Sequence, residues 1–133
     1  MTESKYEVGT AVRFRSSHVM PGEEGPEGVL HEHDYLVEVV VGRAELDDLG
    51  TVCDLRVLDD ALNRLRDQVG GRDLELIRPA EAIAVTVEVF AEWAHRFIAD
   101  RLVGTDVDHL SVRVWESDVA FGGFRDRLPG ASS

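Results

Sequence analysis

The sequence is poor in cysteine, in lysine and in long apolar segments. Cys53 is the only cysteine among 133 residues, so no internal disulfide can form, in agreement with a reducing compartment. No run of about 18 apolar residues could span a bilayer, and the N-terminal residues lack the basic and then apolar pattern of a signal peptide. We therefore expect a cytoplasmic protein that does not bind membranes.

Basic residues are scarce as well. The chain has 26 Asp and Glu residues against 14 Lys and Arg residues, which gives a net charge of −12 and a pI near 4.7. Proteins that bind nucleic acids usually carry a basic stripe for the phosphate backbone, so nucleic acid is not an expected partner. Lys5 is the only lysine, and this preference for arginine is typical of a GC-rich bacterial genome.

The length and the apolar content of 44% suit one domain with a single core, residues 1–133. Alternating apolar residues predict two strands within residues 6–20 and 31–46, and two more within 107–117 and 119–124. The Gly-, Pro- and Glu-rich residues 21–28 predict an exposed loop.

Between these strand pairs, apolar residues recur every three or four positions and predict two helices. The first begins after Asp54 as N-cap, and the second runs from Pro79 to about Leu102, with Ile83 toward the core. The order strand, strand, helix, helix, strand, strand indicates an α+β fold with two helices on one face of a four-stranded antiparallel sheet. Exposed sheet edges invite pairing with another copy, so we expect a homo-oligomer.

Three histidines share the inner face of the first two strands. His31 and His33 alternate with outward-facing acids, and His18 lies near the end of the preceding strand. Because the end of one antiparallel strand lies beside the start of the next, the three imidazoles should converge. Three neutral nitrogen ligands leave the fourth tetrahedral position of Zn²⁺ open, as in catalytic sites. His95, within the second helix, fits a partly exposed packing role.

Five segments resemble, in order, the motifs of the 6-pyruvoyltetrahydropterin synthase and 6-carboxytetrahydropterin synthase family. They are FRSSHVM, LHEHDY, GTVCDLRVLDDAL, VTVEVFAEWA and VRVWES, beside the family patterns F-x-A-A-H, H-G-H-x-Y, V-x-D-F, P-T-x-E and V-x-V-x-E-T. The resemblance spans nearly the whole chain. It implies a tunnelling fold, in which subunits join their sheets into a barrel and assemble as a trimer or a hexamer.

The resemblance also implies a set of site residues. The zinc ligands correspond to His18, His31 and His33. Glu116 matches the carboxylate that holds the aminopyrimidine part of a pterin through paired hydrogen bonds, and Thr86 and Glu88 match residues close to the bound heterocycle. A small pterin-like molecule is therefore the expected ligand, and Zn²⁺ the expected cofactor.

Two departures from the family pattern concern proton transfer. The usual catalytic cysteine precedes H-G-H by four residues, and here that position is Glu27, with Glu23 and Glu24 as alternatives on the same loop. A carboxylate beside a metal can serve as a general base. The family's L-D-H-x-x-L-N segment should fall in GGRDLELIRPAE, where Asp73 can stand for the aspartate and no histidine is present.

These residues favour a zinc-dependent lyase diverged from the usual substrate, dihydroneopterin triphosphate. Glu27 or Asp73 would move protons on a pterin-like or other hydroxy-carbonyl compound, and the negative net charge favours a less anionic ligand. Two alternatives stay open. The chain could perform the ordinary reaction with a carboxylate in place of the thiol, or it could be a noncatalytic zinc-containing module that binds pterins or regulates a partner.

Overall fold

The computed structural model describes residues 4–128. Its strands and α-helices are β1 (Tyr6–His18), β2 (His31–Arg43), α1 (Leu55–Val69), α2 (Val87–Asp100), β3 (His109–Trp115) and β4 (Phe121–Arg127). The four strands form one sheet in the order β1-β2-β3-β4, and each neighbouring pair is antiparallel. The predicted α+β fold, with its ββααββ order, is confirmed.

The sheet has one buried face, and both helices pack on it. α1 contacts β1, while α2 contacts β3 and β4. The residues of β2 and β3 beneath the helices are fully buried: Val37, Val39, Val41, Leu110, Val112 and Val114. Apart from the buried Gly42, their neighbours in sequence are exposed or half-buried, so the alternation of the strands separates a core face from an outer face.

Helix α1 begins after Asp54, as the sequence indicates, and ends before Gly70. The Asp54 carboxylate accepts a hydrogen bond from the backbone N–H of Arg56 at 2.9 Å, and the Gly70 N–H donates to the Arg66 carbonyl at the other end. The chain then runs along the end of β1, where the Ser17 N–H donates to the carbonyl of Arg72 and Ser17 forms a bridge with Asp73. The backbone of Asp73 therefore lies beside the residue that precedes His18.

Helix α2 is shorter than predicted. It starts at Val87 instead of Pro79, because the Thr86 hydroxyl caps it by accepting a hydrogen bond from the Val89 N–H at 3.1 Å. It ends at Asp100. Residues 79–86 form turns and bends. Ile83, expected in the core, is 85% exposed.

Two short 3₁₀ turns complete the chain, at Gly25–Gly28 in the exposed loop between β1 and β2 and at Leu74–Ile77 after α1. The second was not predicted, and its N-cap is Asp73, whose carboxylate accepts from the Glu75 N–H at 2.9 Å. Within residues 4–128, neither α-helix nor either 3₁₀ turn has the length and apolarity needed to cross a membrane.

Candidate metal centre

The hairpin of β1 and β2 brings the three predicted histidines together. His18 is paired with His31, and His33 with Ser16, in the antiparallel register. Their ring centroids lie 4.5 Å apart for His18 and His31, 4.8 Å for His31 and His33, and 5.0 Å for His18 and His33. All three rings therefore share one small volume at the end of the hairpin.

Backbone carbonyls orient two of the rings. The Nδ1 of His31 lies 2.8 Å from the Val29 carbonyl oxygen, and the Nδ1 of His18 lies 3.3 Å from that of Val85. A carbonyl can only accept, so each Nδ1 carries the proton and each Nε2 presents a lone pair. Hydrogen bonds of this kind, made by the ring nitrogen that does not bind the metal, fix the tautomer of metal-binding histidines.

The remaining nitrogens face one another. The Nε2 atoms of His31 and His33 are 3.1 Å apart, and the Nε2 of His18 is buried without any hydrogen-bond partner in the described structure. A buried polar atom without a partner is costly. Two nitrogens bound at roughly 2.0–2.1 Å to a tetrahedral zinc ion would be about 3.3 Å apart. The three imidazoles thus fit a divalent cation, which would satisfy the His18 nitrogen.

The environment of His18 also favours its neutral, metal-binding form. Its side chain is 5% exposed. Burial lowers the pKa of His18 from its ordinary value, and the nearby rings of His31 and His33 lower it further. A neutral imidazole is the form that binds a metal.

Glu27 is the carboxylate that joins the cluster. Its Oε2 lies 3.1 Å from the Nε2 of His31. One donor atom each from Glu27 and the three histidines lies within 4.8 Å of the others, and residues 4–128 contain no second group of this kind. The structure therefore brings Glu27 to the histidines, whereas Glu23 and Glu24 stay outside that group.

Tyr35 forms the buried wall beside the histidines. It is 1% exposed, and its ring centroid lies 5.6 Å from that of His33. The pKa of Tyr35 is well above its ordinary value because it is buried and because the charges of Glu116 and Glu27 act on it. Glu116, which is half-buried, thus acts on the same tyrosine as Glu27.

A concave region of about 600 Å³ extends from His33 and Glu116 onto the outer face of the sheet, within the size range of small-molecule sites. Five carboxylates line it against one guanidinium, that of Arg13. The acidic residues are Glu32, Asp34, Glu38, Glu116 and Asp118. Of these, Asp34 is already paired with Arg15 by two hydrogen bonds of 2.9 and 3.2 Å.

The other predicted site residues are not among the four donors. Thr86 caps α2, and Glu88 is exposed in the first turn of that helix. The Asp73 carboxylate is engaged as a cap. His95 is 5% exposed, so the expected partial exposure is wrong; its Nε2 lies 3.1 Å from the Leu110 carbonyl oxygen.

Sequence patterns could not identify some groups that shape this centre. The carbonyls of Val29 and Val85 orient the imidazoles, and any residue type offers a carbonyl. The tyrosine of the H-x-H-x-Y segment was visible as an inward residue, but its position as the wall beside His33 depends on the packing of α2, where Phe90 contacts it at 5.4 Å between ring centroids.

Comparisons with known structures agree on the fold. The 6-pyruvoyl tetrahydropterin synthase of Plasmodium falciparum superposes with a TM-score of 0.76 at 13% identity, over 95% of this chain and 100% of the other. That of Caenorhabditis elegans gives 0.70 at 17% identity, over 91% and 95%. A Plasmodium vivax 6-pyruvoyltetrahydropterin synthase, in which a glutamate described as a catalytic residue is replaced by alanine, gives 0.72 at 12% identity, over 93% and 100%.

The sequence comparisons are of two kinds. No curated protein sequence matches the chain. The family model described as 6-pyruvoyl tetrahydropterin synthase matches residues 7–126, a span that contains all four strands but for single end residues, both helices, the histidine cluster and Glu116. The chain therefore belongs to the 6-pyruvoyl tetrahydropterin synthase family and has its tunnelling fold.

Proposed function

We propose that this chain is a zinc-dependent lyase that acts on a pterin-like or other hydroxy-carbonyl compound. His18, His31 and His33 would hold the ion, Glu27 would move the proton, and Glu116 would hold the ring of the substrate. The observation that carries the proposal is the buried, unpartnered Nε2 of His18, which faces two other histidine nitrogens.

The histidines fit the metal in both chemistry and orientation. Hydrogen bonds at Nδ1 leave the Nε2 lone pairs of His18 and His31 free for a metal, and imidazole nitrogen is a preferred ligand of zinc. When bound, a zinc ion supplies a Lewis acid that polarises a substrate oxygen and makes the adjacent C–H bond more acidic. The family to which the chain belongs consists of lyases.

Glu27 is the base that the geometry favours. Its carboxylate lies 3.1 Å from the His31 Nε2, so it borders the volume in which the substrate side chain would sit. A carboxylate there can accept the proton of a C–H bond and return it to another atom of the substrate. The relative from Plasmodium vivax, in which a glutamate is a catalytic residue, supports this assignment.

Glu116 is suited to orient an aminopyrimidine ring. A carboxylate accepts two parallel N–H hydrogen bonds, which fixes both the position and the plane of the ring. Its backbone N–H donates to the Ala120 carbonyl at 3.1 Å, so the residue is held at the start of the β3–β4 turn. We assign Thr86 and Glu88 to the edge of the same ligand.

The charges around this region favour a substrate without a triphosphate. Five carboxylates and one guanidinium line the concave region next to His33, and a field of this sign disfavours an anionic ligand. The middle residue of the H-x-H segment contributes to it, since Glu32 stands where the family has glycine. We therefore propose an uncharged or cationic compound as the substrate.

Asp73 stays a prediction as a second group for proton transfer. Its backbone borders Ser17, next to His18, but its carboxylate caps the 3₁₀ turn Leu74–Ile77. Because that carboxylate is engaged, a specific observation also supports the second candidate function, a noncatalytic zinc-containing module that binds pterins or regulates a partner.

We also propose that the chain self-associates as a trimer or a hexamer. In the described sheet, β1 and β4 are the edge strands, and unpaired edges are commonly covered by another copy. Analytical ultracentrifugation would give a mass of three or six chains, whereas a monomer at micromolar concentration would contradict this part of the proposal.

Incubation with candidate substrates tests the proposed activity. Zinc-loaded protein is mixed separately with dihydroneopterin triphosphate and with unphosphorylated dihydroneopterin, and products are identified by mass spectrometry. The lyase is supported if the protein converts a substrate, Glu27→Gln abolishes the conversion and Glu24→Gln leaves it intact. Preference for the unphosphorylated compound supports the proposal that the substrate is not anionic. Pterin binding without conversion, equal in both variants, would favour the noncatalytic module.

A further inference from the structure

We propose that Glu27 is a fourth metal ligand in the substrate-free protein, so that the centre is closed until a ligand displaces this carboxylate. The inference rests on the proposed metal site and adds a donor to its three histidines. It would make Glu27 a weaker base in the resting protein than in the protein with bound substrate.

The position of the Glu27 carboxylate supports this role. Its Oε2 is 3.1 Å from the His31 Nε2, the same separation that the two Nε2 atoms of His31 and His33 have from each other. All four donor atoms lie within 4.8 Å of one another. Ligands around a tetrahedral zinc are about 3.3 Å apart, so the two pairs at 3.1 Å already have nearly this separation. The widest pair would have to close by at most about 1.5 Å.

The loop that carries Glu27 begins and ends beside histidines of the cluster. It leaves β1 after His18 and enters β2 at His31. The Met20 N–H donates to the Glu27 carbonyl at 2.9 Å. At the next residue, a Cβ on Gly28 would lie 1.9 Å from the Glu23 carbonyl oxygen, so the turn closes tightly around a position that only glycine fits. The backbone thus places Glu27 beside the histidines.

The four donors match the usual coordination number of zinc. Three neutral imidazoles and one carboxylate give four ligands and one negative charge for a divalent cation, and zinc accepts carboxylate oxygen alongside histidine nitrogen. Within residues 4–128, Glu27 is the only acidic residue in this group. Although five carboxylates line the neighbouring concave region, none of them belongs to the donor set.

A ligating carboxylate has a direct consequence for catalysis. A carboxylate bound to the ion would be a weaker base, because the positive charge of the metal stabilises the ionised form. A substrate oxygen that took its place on the ion would leave the carboxylate unbound beside the substrate, with its ordinary basicity. The exposed side chain of Glu27, 56% accessible, has room for this movement.

The test measures metal binding without any substrate. Metal-free wild type, Glu27→Gln, Glu24→Gln and His31→Ala are titrated with Zn²⁺ against a chromophoric chelator, and with Co²⁺ for visible absorption. Glu24 is exposed on the same loop, so Glu24→Gln removes the same charge without removing a donor. Thermal unfolding of each metal-free variant checks the fold.

We expect Glu27→Gln to bind zinc at least about 10–100-fold more weakly, since loss of even an outer-shell partner costs this much. Its Co²⁺ absorption should change in intensity and position, while Glu24→Gln matches the wild type. If Glu27→Gln equals the wild type in affinity and spectrum while His31→Ala loses the metal, the Glu27 inference is overturned and the metal site stands. If the wild type binds no zinc, both are overturned.

Discussion

His18 lies directly opposite His31 in the register of β1 and β2, with 4.5 Å between their ring centroids. A slip of one residue would turn every side chain of a strand to the other face, and it would expose Val37 and Val39, which are fully buried. The apolar core of the sheet therefore fixes the register that brings the histidines together. The register that packs the hairpin into the core is therefore also the register that brings the three histidines together.

Thr86 is expected to contribute to stability through its cap. Replacing Thr86 by alanine removes the hydroxyl that accepts from the Val89 N–H and should lower the free energy of unfolding by about 1 kcal/mol. Thr86→Ser keeps the hydroxyl and should keep most of that stability. Urea denaturation measures both variants, and an equal loss for serine and alanine would argue against the cap.

Glu116 is expected to hold the ligand and not the metal. Glu116→Gln should keep the zinc content and weaken the binding of 7,8-dihydroneopterin roughly 10–100-fold, since hydrogen bonds to a charged partner are worth roughly 1.5–3 kcal/mol. Isothermal titration measures the affinity. Glu38, another carboxylate of the concave region, supplies the control.

Glu38→Gln should change that affinity only slightly, because its side chain belongs to the outer face of β2. Equal losses in the two variants would mean that the region acts through its total charge, and the specific role of Glu116 would be wrong.

Lowering the pH is expected to reduce the free energy of unfolding of the metal-free protein, because buried histidines must then be protonated. Burial lowers the pKa of His95 below the ordinary 6.5, and the charge of His109 adds to this, while the Leu110 carbonyl, the Asp126 carboxylate and the Asp126 backbone oppose it. The unfolded chain then binds the proton first, so the contribution to stability is present above about pH 6.5 and is lost as the pH falls through the folded pKa.

Urea denaturation between about pH 7.5 and 5 measures this effect. The free energy of unfolding should fall toward acid, and His95→Gln should reduce the slope. The lowered pKa of His18 acts in the same direction, so part of the slope should remain in that variant. A slope that His95→Gln leaves unchanged would contradict the role of His95.

The sequence allows part of this structure to be predicted for definite reasons. Strict alternation placed His18, His31 and His33 on the inner face, and an antiparallel hairpin has to bring its strand ends together. The start of α2 was missed because Pro79 and the apolar spacing of Ile83 fit a helix, whereas the Thr86 cap lies seven positions later. Local patterns do not decide between two possible helix starts when both are compatible with the same periodicity.

The site was predictable in its ligands and not in its orientation. Residue types and parity identified the imidazoles, and the family pattern placed Glu27 on the loop. The directions of the His31 and His18 rings depend on the carbonyls of Val29 and Val85, whose positions follow from the turn before β2 and the bends before α2. The burial of the His18 Nε2 emerges only when these segments pack together.

The zinc content of purified variants is the sharpest test of the histidine metal centre. Wild type, His31→Ala and His109→Ala are reconstituted with zinc, freed of excess metal and analysed by atomic emission. His109 is the control because it pairs with Gly42, at the end of β2 opposite His31. We expect about one zinc per chain in the wild type and in His109→Ala, and almost none in His31→Ala. Equal zinc in His31→Ala, or none in the wild type, would contradict a histidine metal centre.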